Sequence, residues 1–374
     1  MTGAVTARPV TTFTAPLGPA GKSVDAPSIL RWPTGRRLLV QRGDTEAAVV
    51  DLDAEGTPQT RFPAPWPGAF GTFTVAPDAG LAVFAGLHAV RAVEPSGAVR
   101  WEVRHGCWDG SCRVLHHAYE EYAAGSRSHL YADSGSVMFS PDGSVVWAHI
   151  RGPVAASGQD PEAVDEWLVI DAVDGRVLGR ADAETVAAGS DHVPHPDPAL
   201  MGLSVGEGQD GAPLLWGRWD GRELSVEHFC ESERILASVS PSGKHFLTVG
   251  HDLASIALHE IADATVVAEL DAEGALPRHP DAGEDDPDAE QVMWDYVCGH
   301  IDEDWAVAGS GEYDEEYGAA RHWLLRTTEL DSARPLTYPT PISGVPWGLG
   351  DGTWYTTSPD GGALHLWALH IPRP

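Results

Sequence analysis

The stretch SGSVMFSPDGSVVWAHIRG, residues 134–152, sets two apolar runs on either side of Ser140-Pro141-Asp142-Gly143. Pro and Gly supply the backbone angles of a tight turn, and the flanking runs have the length and β-branched content of strands, so the stretch reads as a β-hairpin. A hairpin that occurs once is local detail, whereas one that returns at a fixed spacing defines the architecture. This one returns. GTFTVAPDAGLAVFAGLHA (71–89) and RILASVSPSGKHFLTVGHD (234–252) repeat it, and SDHVPHPDPALMGLSVGEG (190–208) is a weaker copy. Shorter turns with the same flanks occur in SILRWPTGRRLLVQRGD, YVCGHIDEDWAVAGSGE and GVPWGLGDGTWYTTSPD.

A second pair of strands follows most copies, as in EWLVIDAVDGRVLGRAD, LLWGRWDGRELSVEHF and SIALHEIADATVVAEL. Four strands per unit at a period of about 40–50 residues predict an all-β fold, a single β-propeller of about seven four-stranded blades. The last unit, ending in ALHLWALHIPRP, stops one strand early, while the N-terminal ARPVTTFTAPLG has no hairpin partner. Pairing of the two would close the last blade and remove exposed sheet edges. The expected organisation is one propeller domain over residues 1–374, with an insertion loop at 105–134 and an acidic loop at 271–291.

Composition agrees. Forty-one Gly and 29 Pro suit many strands joined by tight turns, and 43% hydrophobic residues leave material for a large core. The formal charge of −31 disfavours phosphate backbones and anionic bilayers, so neither nucleic acid nor a membrane is an expected partner. Lys22 and Lys244 are the only lysines, which limits Schiff-base chemistry. No apolar run approaches the roughly 18 residues of a membrane span, and the N-terminus lacks a basic start followed by an apolar core. Together with only four cysteines (Cys107, Cys112, Cys230, Cys298), this predicts a soluble, acidic, cytoplasmic protein without a disulfide framework.

FSPDGSVVWAH and VSPSGKHFLTV resemble the first hairpin of the bacterial WD40-like β-propeller repeat superfamily, and GALHLWAL resembles its third strand. The resemblance extends over nearly the whole chain and implies the propeller fold.

In such a fold the loops joining strands two and three, and those joining one blade to the next, emerge on one face, with the Pro-Asp-Gly turns on the other. The long segments 105–135, 152–166, 206–212, 271–291 and 309–322 all fall on the first face, which is therefore the expected functional surface. In the first of them His105, Cys107, Cys112 and His116 place thiols and imidazoles within reach of one tetrahedral Zn ion, although the spacing is not that of a zinc finger. The competing reading is a loop pinned by Trp108, Tyr119 and Tyr122 that carries two reduced cysteines. DHVPHPD offers His192, but repeat alignment sets it opposite Val137 and Ala237, at a position of the inner strand that elsewhere is core. GLSVG (202–206) matches a nucleophile elbow by letter, yet Ser204 lies in the second strand of a blade rather than at a strand-to-helix turn. The acidic loops show no calcium-binding register and read as solvated charge or a dock for a basic protein.

Two classes of function remain open. One is a protein- or peptide-binding scaffold whose aromatic residues Trp108, Tyr119, Tyr122, Tyr313 and Tyr317, with Glu315, meet a partner of basic character. The other is a propeller enzyme, a lactonase-like hydrolase or a lyase, with His116, His117 or His192 as acid–base groups and the possible Zn at the channel mouth.

Overall fold

The computed structural model describes residues 3–32, 35–108, 112, 114–123, 135–152, 165–208, 211–229, 233–281, 292–311 and 321–369. The chain opens with β1 (Val5–Thr6) and β2 (Arg8–Thr14), and the strands that follow form seven antiparallel sheets. The fold is all-β, a seven-bladed β-propeller.

One compact unit spans Gly21–Phe229. Blade 1 comprises β3 (Ser28–Arg31), β4 (Arg37–Arg42), β5 (Glu46–Asp51) and β6 (Gln59–Pro63), and blade 2 comprises β7 (Phe73–Val75), β8 (Ala82–Ala85), β9 (Ala89–Val93) and β10 (Val99–Arg104). Blade 3 follows with β11 (Ser136–Phe139), β12 (Val145–Arg151), β13 (Asp165–Asp171) and β14 (Val177–Asp182). Blade 4 has β15 (Gly189–Pro194), β16 (Leu200–Gly206), β17 (Leu214–Trp219) and β18 (Leu224–Phe229). The inner strands β7, β11 and β15 lie side by side.

The other unit joins Met1–Ala20 to Cys230–Pro374. Blade 5 is β19 (Arg234–Val239), β20 (His245–Gly250), β21 (Ser255–Glu260) and β22 (Val266–Asp271), and blade 6 is β23 (Trp294–His300), β24 (Trp305–Ser310), β25 (His322–Arg326) and β26 (Ala333–Thr337). Blade 7 has β27 (Ser343–Gly348), β28 (Thr353–Thr357) and β29 (Ala363–Ala368), and β2 completes it antiparallel to β29, with Arg8 opposite Ala368 and Thr14 opposite Ala363. The N-terminal strand thus closes the last blade as the sequence predicts. An addition to that reading is β1, which runs parallel to β26 with Val5 opposite Leu336 and makes blade 6 five-stranded.

The second and third strands are rich in apolar residues because packed side chains cover both of their faces. Every residue of β12 is buried, and so is every residue of β8. Apolar clusters fill the spaces between blades, with Val83, Phe139, Val146 and Leu168 in one and Leu247, Trp294, Ala308 and Leu325 in another. Trp147 and Trp167 meet at 5.4 Å in blade 3, and a Cβ on Gly217 of blade 4 would stand 2.7–2.9 Å from both rings. Only a residue without a side chain fits there.

The Ser-Pro-Asp-Gly turn has a specific chemistry. Ser140 Oγ donates to Asp142 Oδ1 at 2.6 Å, Ser144 N donates to the same oxygen at 3.0 Å, and Gly143 takes φ +72°. The same network recurs at Ser358–Gly361, with Ser358 Oγ donating to Asp360 Oδ1 at 2.6 Å. That copy joins β28 to β29, the second and third strands of its blade, so this turn is not confined to first hairpins.

Candidate functional site

After β10 the chain crosses to blade 3 through residues 105–135. Its start is tied down, since His105 N donates to His88 O at 2.9 Å and Gly106 N to Gly152 O at 3.2 Å. His88 belongs to the β8–β9 turn, so in this unit the turn between strands two and three and the connection between blades meet, as the sorting of loops requires. Cys107 turns inward and packs with Leu87 and Tyr122 in a small apolar cluster bordered by Phe70, Cys112 and Tyr119. Tyr122 sits in a helical turn, α1 (Glu120–Ala123), and is fully buried. Its hydroxyl is hydrogen-bonded to the Cys107 sulfur and donates to Leu87 O at 3.4 Å, and burial, with the thiols beside it, raises its pKa far above the ordinary phenol value.

This turn also organises His116. Glu121 Oε2 lies 2.9 Å from His116 Nδ1, and Glu121 Oε1 accepts from His117 N at 3.0 Å. Those hydrogen bonds hold the Glu121 carboxyl below its usual range. The other imidazole nitrogen, His116 Nε2, is 3.3 Å from Cys112 Sγ, and the ring packs on Tyr122 at 4.4 Å between centroids. The Cys107 and Cys112 sulfurs and a His116 nitrogen all lie within 4.8 Å of one another. Cys107, Cys112 and Cys298 are thiols and form no disulfide.

Other predicted residues lie elsewhere. His105 is not part of this cluster; its Nδ1 is 2.7 Å from Gly106 O, and burial lowers its pKa to about 4. Trp108 is buried against His105 and His149, and with Tyr122 it pins the loop from inside rather than presenting a ring to solvent. Tyr119 is half-buried and packs on Phe70 at 5.5 Å. His117 is exposed, with Arg104 NH1 donating to its Nδ1 at 2.5 Å. Tyr313, Glu315 and Tyr317 lie outside the described residues. Among the described residues of the loop, the apolar Val114 and Leu115 are 57% and 41% exposed, beside the exposed His117, Glu120 and Glu121.

His192 occupies a different environment. Trp167 Nε1 donates to its Nε2 at 2.9 Å, and its Nδ1 lies 2.8 Å from Ser136 Oγ. The chain of contacts continues through Ser190 Oγ to His149 Nδ1 at 2.9 Å, while Arg151 NH1 donates to the buried Asp165 Oδ1 at 2.7 Å. Desolvation drives His192 well below the ordinary imidazole value. Both ring nitrogens are engaged, so this histidine fastens blades 3 and 4 together. Ser204 is buried in β16.

Two thiols and one imidazole form a nitrogen–sulfur donor set suited to a soft divalent cation, and a carboxylate on the far ring nitrogen is the usual outer partner of a ligating histidine. Sequence reasoning reached Cys107, Cys112 and His116 from their spacing. It missed Glu121, which lies five residues after His116 and comes near only because the chain coils at α1.

No protein-family model matches the chain, and no curated protein matches it. Among solved structures it is similar to the β-propeller domain of Cps50 (Swd1) from Myceliophteria thermophila, at 12% identity and a TM-score of 0.56, over 96% of this chain and all of that one. It is also similar to a prolyl endopeptidase studied for the role of inter-domain dynamics in catalysis and specificity, at 12% identity and a TM-score of 0.53, over 94% of this chain and half of that one. The likeness is one of fold alone: the chain is a β-propeller whose architecture resembles that of WD40-type propellers. Among the described residues no helix is long and apolar enough to cross a membrane.

Proposed function

We propose that this propeller is a binding scaffold that recognises a protein or peptide segment through the 105–123 loop of blade 2. The observation that carries the reading is the exposure of Val114 and Leu115 side by side on a loop whose neighbours Cys107, Trp108 and Tyr122 are buried. A rigidly anchored loop with an apolar tip loses little conformational entropy on binding, and the tip removes apolar surface from water when covered. The net charge of −31 makes the surface acidic on average, which favours a segment with apolar residues flanked by Lys or Arg and makes its association rate fall with salt.

Selection of peptides from a displayed random library tests this. The expected selectants are apolar with basic flanks, and their affinity falls at least tenfold for the V114D/L115D double variant while staying unchanged for V173D, which alters an exposed valine of the β13–β14 turn. Peptides that bind all three proteins equally would refute the reading. The enzymatic alternative has less support, because His192 is buried and desolvation holds it well below the ordinary imidazole value, outside the range of an acid–base group near neutral pH.

A further inference from the structure

We propose that Cys107, Cys112 and His116 bind one Zn2+ ion, with Glu121 as the positioning residue for His116. Tetrahedral zinc, with Zn–S of about 2.3 Å and Zn–N of about 2.0–2.1 Å, spaces its donor atoms about 3.5–3.8 Å apart. Here Cys112 Sγ and His116 Nε2 are 3.3 Å apart, and all three donors fall within 4.8 Å, so side-chain rotations alone bring them into register. α1 braces the cluster from outside, with Glu121 on His116 Nδ1 and His117 N and with Tyr122 packed on Cys107. Glu121 on Nδ1 leaves Nε2 as the nitrogen facing the sulfurs, the tautomer a metal ligand requires.

The donor chemistry selects the ion. Thiolate and imidazole suit zinc and disfavour calcium and magnesium, which take oxygen ligands. Among the described residues no fourth His, Cys, Asp or Glu joins the group. Tyr122 is fully buried with its hydroxyl already engaged by Cys107 and Leu87 O, so the fourth position faces the solvent side, where Cys112 and His116 are only half-buried. Binding releases the two thiol protons to solvent as the sulfurs become thiolates. The proposal stands apart from the peptide-binding reading, because metal uptake is measured without any peptide.

The test uses the full chain, untagged, purified anaerobically under reductant and stripped with a chelator. Titration with Co2+, followed by displacement with Zn2+, is expected to show one equivalent, a tetrahedral visible spectrum with thiolate-to-cobalt charge transfer, and two thiols protected from titration. C112S and H116A should each weaken binding at least 100-fold, C298S should leave it unchanged, and E121Q should weaken it 10–100-fold with the cobalt band positions retained. Absence of cobalt uptake by the reduced wild-type protein would overturn the proposal, as would uptake that survives C112S or a Cys107–Cys112 disulfide persisting under reductant. The cobalt spectrum and thiol protection are read on the unmutated protein, so a variant that fails to fold leaves the test intact.

Discussion

Gly217 shows how closely single residues decide this packing. It stands where the indoles of Trp147 and Trp167, both fully buried, close against blade 4, and a methyl group there would come within 2.7–2.9 Å of ring carbons. Overpacking of this kind costs roughly 1–3 kcal/mol. Urea unfolding of Gly217→Ala should therefore show a lower midpoint with an unchanged slope, and an unchanged midpoint would mean that the tryptophan pair slides aside freely. At the same scale, legibility in the sequence was uneven. Trp147 and Gly143 announce themselves as core and turn by residue type, because volume and a left-handed φ leave few other uses for them. Trp108 and Tyr122 look like surface anchors when judged as aromatics in a polar loop, yet they are buried, because Leu87 and His88 of blade 2 and His149 of blade 3, the two blades the loop joins, pack against them.

Among the elements, the N-terminal strands are the ones whose removal separates closure from core. Deleting residues 1–14 strips β2 from β29 and bares a row of unpaired backbone groups, and the expected outcome is aggregation or a melting temperature lower by more than 10 °C, read by light scattering and circular dichroism. Deleting residues 1–6 removes only β1 and should leave a monomeric, folded protein. A 1–14 deletion that melts like the full chain would show that three strands suffice for blade 7. The pairing of β2 with β29 was visible in the sequence because one blade lacked a strand and one strand lacked a blade. That of β1 with β26 was not, since two residues, Val5 and Thr6, carry no period and their register is set by Leu336 and Thr337. For the same reason the candidate site was half legible, its sulfur and imidazole donors being close in sequence and its carboxylate being brought in by a single turn of helix.

For the molecule as a whole, acid stability should be governed by buried histidines. Desolvation lowers His149 and His300 to about 3 and His192 well below the ordinary value of 6.5. Because the folded pKa lies below the unfolded one, the unfolded chain takes up protons first, so this contribution to stability is complete above about pH 6.5 and is lost as the pH falls toward 3. At pH 5 the loss is about 2 kcal/mol for each such imidazole. The melting temperature should accordingly drop steeply between pH 7 and 5, and a flat profile there would show that these rings are not buried in the neutral form. The closing strands carry a different consequence, one of timing. β1 meets a strand some 330 residues away, as Thr6 and Thr337 show, and β2 meets His365 from Thr12 across 353 residues. At a synthesis rate of about 5–20 residues per second, those strands wait roughly 15–70 s on the ribosome before their partners exist. A segment exposed for that long must not pair with neighbouring chains, and Pro9, which has no N–H to donate, with the charged Arg8 beside it makes β2 a poorer template for them while leaving it able to complete its own blade.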